Sequence, residues 1–463
     1  MRAWFRLGSI LGVSMMLFAA CSGGGGGGCG SGGLGKIKGG FPVDKRAEGA
    51  VQLRLTKGLF DFIEANAKGI IDALLPPTGI PVPSSCGGDT EICCGQACKV
   101  LFGFSQLKID PAPPSTLRVT IRTKLKAEPD FKVKIPVIGK CDLRFDTTRK
   151  GKPDIGLVLP VLARTNGETK LANIDFDTGG LDIQDLDNND IEIRGGILCD
   201  TADVFKGLFM GRIRDLLKDQ LAKPLAGVFC QKCASKDECS SLADQGCMSN
   251  KCMRKGTCMQ QLGIEGRIDL SGTLPGGSGG MDIYAVAGGY TDVEAAPTSG
   301  LSMGMLGGAA ATTRSLCAPM RPAPTRPPGS QAKAPSFAGN TAPNGKAYHV
   351  GAGLSTLELD LLGHGFYESG GLCLAIGTEQ VELLSTATLG VLIPSLSDVT
   401  RGVTSALKIA VRPQYAPTFT MGKGTFKTEM GKRVIDDPLL HLKVKDLALD
   451  FYVYIDERPV RFM

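Results

Sequence analysis

The stretch "LCDTADVFKGLFMGRIRDLLKDQLAKPLAGVFC", from Leu198 to Cys230, decides how this chain is read. From about Ala202 to Gly227 it predicts one long amphipathic helix. Phe205, Phe209, Ile213, Leu217, Leu221 and Leu225 recur at helical spacing, and Leu208 and Leu216 widen the stripe. Lys206, Arg212, Arg214, Lys218 and Lys223 sit elsewhere on it, and Pro224 kinks or ends it. At about 1.5 Å of rise per residue such a helix is nearly 40 Å long. A disulfide needs its Cα atoms within about 7 Å. Cys199 and Cys230, one near each end, therefore each need another partner.

Before the helix the period changes to two. In "TLRVTIRTKLK", Leu117, Val119, Ile121 and Leu125 alternate with Arg118, Arg122, Lys124 and Lys126. In "FKVKIPV", Phe131, Val133, Ile135 and Val137 alternate with Lys132, Lys134 and Pro136. One apolar and one wet face is the pattern of antiparallel strands. Further upstream, "LTKGLFDFIEANAKGIIDALLPPTGIPVP" predicts a first helix. Leu59, Ile63, Ala67, Ile70 and Leu74 are on one face, Thr56 is the N-cap, and Pro76-Pro77 is the stop. The loop after it holds Cys86, Cys93, Cys94 and Cys98. Two local disulfides are favoured over a metal there, because no histidine is near and paired CxxC knuckles are missing. A second insert holds Cys230, Cys233, Cys239, Cys247, Cys252 and Cys258, an even six. Strands resume at "GIEGRIDLSGTLPGGSGGMDIYAV", a hairpin turning at Pro275 to Gly280.

The N-terminus, "MRAWFRLGSILGVSMMLFAAC", has Arg2 and Arg6, an apolar run from Leu7 to Phe18, and Ala-Ala before Cys21. It reads as a secretory signal, too short to span as a helix. Small residues before a cysteine resemble a bacterial lipobox, with Cys21 as the lipid-attachment residue. An ordinary cleaved signal with a chance cysteine is the alternative. A glycine-rich tether follows, which gains a purpose only if its end is held. Export makes disulfides the default for the remaining cysteines. Loss of Arg2 and Arg6 lowers the net charge from +6 to +4, a balance that does not advertise nucleic-acid binding.

The order of these parts resembles the lipid-binding family of bactericidal/permeability-increasing protein, lipopolysaccharide-binding protein and cholesteryl ester transfer protein. Three stretches carry the resemblance: "RLTKGLFDFIEANAKGIIDALLP…GIPVP", "DVFKGLFMGRIRDLLKDQL", and the Pro-rich linker passing into "YHVGAGLSTLELDLLGHGFYESGGLCL". It implies an α+β fold of two elongated barrels in tandem, each a twisted antiparallel sheet curled around a long amphipathic helix. The units would be a signal peptide (1–20), a tether (21–44), a first barrel (45–313) with Cys-rich insertions at 86–98 and 230–258, a linker (314–347), and the N-terminal part of a second barrel (348–463). The second barrel reads as incomplete, since no further long helix follows its strands. The resemblance also implies that Phe60, Ile63, Ile70 and Leu74 of the first helix line an apolar tunnel. With them would stand Phe205, Leu208, Phe209, Ile213, Leu216, Leu217 and Leu221 of the long one.

The family's strand-to-helix disulfide does not carry over simply. A consistent pairing joins Cys141 to Cys199 and Cys317 to Cys373, keeps the early four and the inserted six among themselves, and leaves Cys29 over. Connectivity stays open at the level of sequence. Other chemistries fare worse. Twelve Lys or Arg stand against five Asp or Glu from Lys108 to Lys152, and from Asp175 to Asp200 eight acids stand against Arg194 alone. The basic region suits anionic head groups, or is a solvated strand face. "DLDNND" at 185–190 lacks the glycine and the final acid of a calcium loop. "GGSGG" at Gly276 to Gly280 lacks the strand-turn-helix context of a nucleophile, and the only histidines are His349, His364 and His441. No enzyme, cofactor or metal is expected. The expectation is a lipoprotein held through Cys21 in the outer membrane, facing the periplasm or the cell surface. It would bind acyl chains of phospholipid or another lipid and carry lipid between membranes. The second reading is an interaction module whose disulfide-rich loops bind a protein partner.

Overall fold

The computed structural model describes residues 34–463 except 70–78, 83, 85, 88–90, 136–137, 149–150, 178, 196–198, 200–205, 226–228, 240–244, 271–278, 326–338, 343–344 and 392. Cys21, Cys29, Ile70, Leu74 and Phe205 lie outside the described residues, as do the side chains of Leu208, Leu216 and Leu221.

Antiparallel strands dominate, and two of the sheets curl into half-barrels. A five-stranded sheet runs in the order Gly263–Asp269, Gly280–Glu294, Gly300–Ala311, Ala47–Thr56, Val350–Leu354. A six-stranded sheet contains Cys98–Ala112, Thr116–Glu128 and Ile155–Thr165 at its centre. A four-stranded sheet orders Ile191–Arg194, Gly139–Phe145, Phe131–Ile135 and Glu91–Ile92. The expected alternation is present: Phe131, Val133 and Ile135 are buried while Lys132 and Lys134 are exposed. Each such buried apolar side chain contributes about 1.5–3 kcal/mol.

Helix α1, Lys57–Ala65, follows the first long strand. Thr56 is at its N-cap but makes no side-chain cap bond; its hydroxyl turns instead to the carbonyls of Tyr348 and His349. A turn at Asn66 interrupts it, 67–69 are helical again, and 70–78 lie outside the described residues. Helix α2, Lys206–Leu225, is the long helix expected from the opening stretch. Pro224 stands one residue before its last described residue. Its described contacts do not place it inside a curled sheet. It lies against Ile191–Arg194 and the turn before that strand, and seals the core shared by the six- and four-stranded sheets.

Among the described residues, seven disulfides join Cys86 to Cys94, Cys93 to Cys98, Cys141 to Cys199, Cys230 to Cys258, Cys233 to Cys247, Cys239 to Cys252 and Cys317 to Cys373. Cys199 and Cys230 thus do find separate partners, at Cα separations of 5.9 and 5.6 Å.

Past the linker, Val350–Leu354 pairs with Ala47–Thr56, so the chain returns to the first sheet before going on. Helix α3, Thr356–Glu368, then packs on Gly300–Ala311. The last strands form a sheet of Leu374–Gly377, Leu407–Pro413, Leu447–Ile455 and Arg458–Arg461, with a long hairpin between its second and third members. Among the described residues, no helix is long and apolar enough to cross a membrane.

Candidate functional site

The stripe of α2 is the first candidate. Phe209, Met210, Ile213 and Leu217 are each at most 5 % exposed and join one apolar cluster. That cluster draws Leu125, Ile155 and Leu157 from the six-stranded sheet and Phe131, Leu143 and Ile193 from the four-stranded one. Spacing of three and four residues puts all four helix side chains on one side, which is why two sheets can share them. Arg214, on the wet side, donates to the Leu186 carbonyl at 2.9 Å and fixes the helix rotation. The Cys141–Cys199 bond ties the segment before α2 to the four-stranded sheet.

On α1, Phe60 is buried with Ala163, Val293, Leu301 and Met303, while Ile63 is half-buried and outside that cluster. Phe60 and the α2 residues therefore belong to different apolar clusters. Among the described site residues, the structure does not bring the two helices to one cavity wall.

Among the described acids of 185–190, the carboxylates are engaged by the protein itself. Asp187 accepts from the Asn189 N–H at 2.7 Å, and the Asp187 N–H donates to Asp190 at 3.0 Å, a reciprocal helix cap. Lys152 fills the remaining space, paired with both Asp190 and Asp187. Arg122 pairs with Asp185 at 2.5 Å. The acids thus neutralise part of the basic strands. In the insert, the sulfurs of Cys233, Cys239 and Cys252 lie within 4.8 Å of one another, but all three are in disulfides and offer no thiolate.

A second candidate lies beside α3. A cavity of about 360 Å³ is bounded by Lys45, Ala309, Ala310, Pro324, Leu361, His364 and Glu368. That volume is at the small end for a ligand pocket. His364 is almost wholly buried, 3.5 Å from Glu368. Burial pushes its imidazole below the usual value, against the opposing pull of Glu368. Nearby, Glu358 is 3 % exposed. Burial drives its carboxyl up to about 7, only partly offset by the Gly308 N–H, and Oε2 has no hydrogen-bond partner. Its seat is Gly307, where an added Cβ would lie 2.1 Å from Oε2.

No protein-family model matches the chain, and no curated protein does.

The sequence reading missed Glu358 and weighed His364 only as a partner for a nucleophile. One signal was available: Ser355 and Glu358 have the spacing of a capping box. Only half of that box forms, because Ser355 accepts from the Glu358 N–H at 3.1 Å while the Glu358 side chain turns inward.

Proposed function

We propose that the chain is an exported lipoprotein, anchored through Cys21 in the outer membrane, that binds acyl chains of phospholipid or another lipid and passes them between membranes. The observation that carries this reading is the buried face of α2. Phe209, Met210, Ile213 and Leu217 close an apolar core between two antiparallel sheets, the arrangement from which an acyl-lined tunnel is made by parting helix and sheet. Seven disulfides suit an oxidising, exported setting. The resemblance to the bactericidal/permeability-increasing family supports the same reading, including a tubular barrel around α2.

Energetics suit exchange without an energy source. Two acyl chains with about 30 methylenes bury roughly 25 kcal/mol at about 0.8 kcal/mol each. A bilayer already supplies nearly all of that, so the protein has only to match it. The test is native mass spectrometry of the folded full chain. Co-purified phospholipid is the expected result. A chain that emerges empty, with a protein bound through its Cys-rich loops, sinks the lipid reading and favours an interaction module.

A further inference from the structure

The hairpin that leaves the body at Thr418 and returns at Lys443 consists of two ribbons. The lower pairs Thr418–Met421 with Leu440–Lys443, and the upper pairs Thr425–Glu429 with Lys432–Asp437. The lower ribbon is anchored, since the Phe419 N–H donates to Asp360 of α3 at 3.2 Å. The bend between the ribbons is held by Asp437, which accepts from the Lys423 N–H at 2.8 Å and meets His441 at 2.8 Å. Beyond the bend every residue of Thr425–Glu429 is exposed. A two-stranded ribbon alone in water is marginal, so such a projection needs a reason.

Three features mark the upper ribbon and its base. Phe426 and Ile435 face each other across it, 52 % and 54 % exposed. Met430 stands fully exposed at the tip with φ 50°, followed by Gly431 at φ 73°. A two-residue turn with both φ positive favours Asn, Asp or Gly at its first position, because longer side chains are strained there. Methionine is a poor choice for the turn and for water alike. The third feature is charge. Glu429 and Asp436 are held by Lys427 at 3.0 and 3.5 Å, and Asp437 by His441. Among the described residues, Lys423, Lys432, Arg433 and Lys443 have no carboxylate partner; Arg433 lies over the Phe426 ring at 4.1 Å. Five Lys or Arg against three Asp or Glu from Thr418 to Lys443 leave the hairpin a net +2, and with apolar groups at the extremity it complements a surface that is anionic outside and apolar just beneath.

We propose that this hairpin docks the protein on an anionic lipid bilayer. Met430, Phe426 and Ile435 enter the head-group boundary, and Lys432 and Arg433 meet the phosphates. The proposal rests on the lipid-binding reading in taking a lipid surface as partner, yet it needs no tunnel. The test uses the full chain carrying Cys21→Ser, which removes any anchor. Its co-sedimentation is measured with phosphatidylcholine vesicles, with and without phosphatidylglycerol. Binding to the anionic vesicles that weakens with salt is expected. Met430→Asn fits the turn better than the native residue, so it keeps the ribbon while removing the inserted group. It and Lys432→Glu should each weaken anionic-vesicle binding on the order of tenfold. Lipid found by native mass spectrometry should stay unchanged in both variants. A parent that ignores anionic vesicles, or variants that bind them as the parent does, overturns the proposal. So does a parent dimer that Met430→Asn converts to monomer with no effect on vesicles, since the occupant is then a second copy. Vesicle docking by a chain that carries no lipid upholds the hairpin and removes the tunnel, so the two readings fail separately.

Discussion

Arg54 is 1 % exposed in the middle of the five-stranded sheet, and its guanidinium meets both oxygens of Glu294, the Ser302 hydroxyl at 2.9 Å and the Thr298 carbonyl at 2.6 Å. The two partners are unequal, because the Glu294 side chain keeps 30 % of its surface in water. Arg54→Met preserves volume and releases Glu294 to solvent, so a loss of about 1 kcal/mol is expected. Glu294→Ala strands the buried cation, which cannot shed its proton, and should cost about 3 kcal/mol in urea unfolding. The reverse order would mean that the guanidinium reaches water. Glu358 sets a pH dependence. Its native carboxyl is raised to about 7 by burial. The native state therefore holds the proton while the unfolded chain, near 4.3, loses it. Stability from this group is complete below about pH 4 and drains away as pH rises towards 7, about 4 kcal/mol in all. Glu358→Gln should flatten that part of the urea midpoint's pH profile; an unchanged profile assigns the slope to another group. Neither residue was legible in the sequence. A single Arg or Glu in a strand or first helical turn reads as solvent-facing, and only the long-range register puts Arg54 opposite Ser302.

At the level of elements, what is local was legible and what is paired at a distance was not. The alternation of Phe131 to Ile135 and the burial of Phe209, Ile213 and Leu217 on α2 follow from period alone. The interruption at Asn66 was missed because apolar spacing runs straight through it into 67–69, where helix resumes. The way α2 is seated depends on Cys141–Cys199, which closes 58 residues. Loop entropy assigns such a bond about 4 kcal/mol. Cys141→Ala with Cys199→Ala should therefore lower stability by up to that amount while leaving the Phe209 cluster formed. A larger loss with the helix signal gone would show that the bond holds α2 in place outright. The seat of α3 is sharper still. Alanine at Gly307 would set a Cβ 2.1 Å from the Glu358 carboxylate and 2.4 Å from the Ala50 Cβ. Gly307→Ala should undock α3, read as new protease sensitivity within Thr356–Glu368, and Glu358→Ala in the same chain should restore part of the loss.

For the whole molecule, the linker from Arg314 to Ala347 read as a divider between tandem units, and composition could not say that the chain recrosses it. Three ties do so. Val350–Leu354 adds to the edge of Ala47–Thr56, α3 packs on Gly300–Ala311, and Cys317 is bonded to Cys373 across the linker. Two of these are non-covalent, and their strength decides whether the segments beyond the linker can move as a body. Five residues of ladder and a helix in which Leu359, Leu361 and Tyr367 are all buried make a seat of domain-core character. At about 1.5–3 kcal/mol for each large apolar side chain, the seat exceeds the loss of one covalent link. A protease site placed between 326 and 338 should then yield one band without reductant and two with it in denaturing gels. In native gel filtration the cut protein should elute as one species with or without reductant. Separation on reduction alone would show that Cys317–Cys373 is the only firm tie, and that strand pairing and α3 leave the two sides free to part, as a carrier that opens to load its cargo would require.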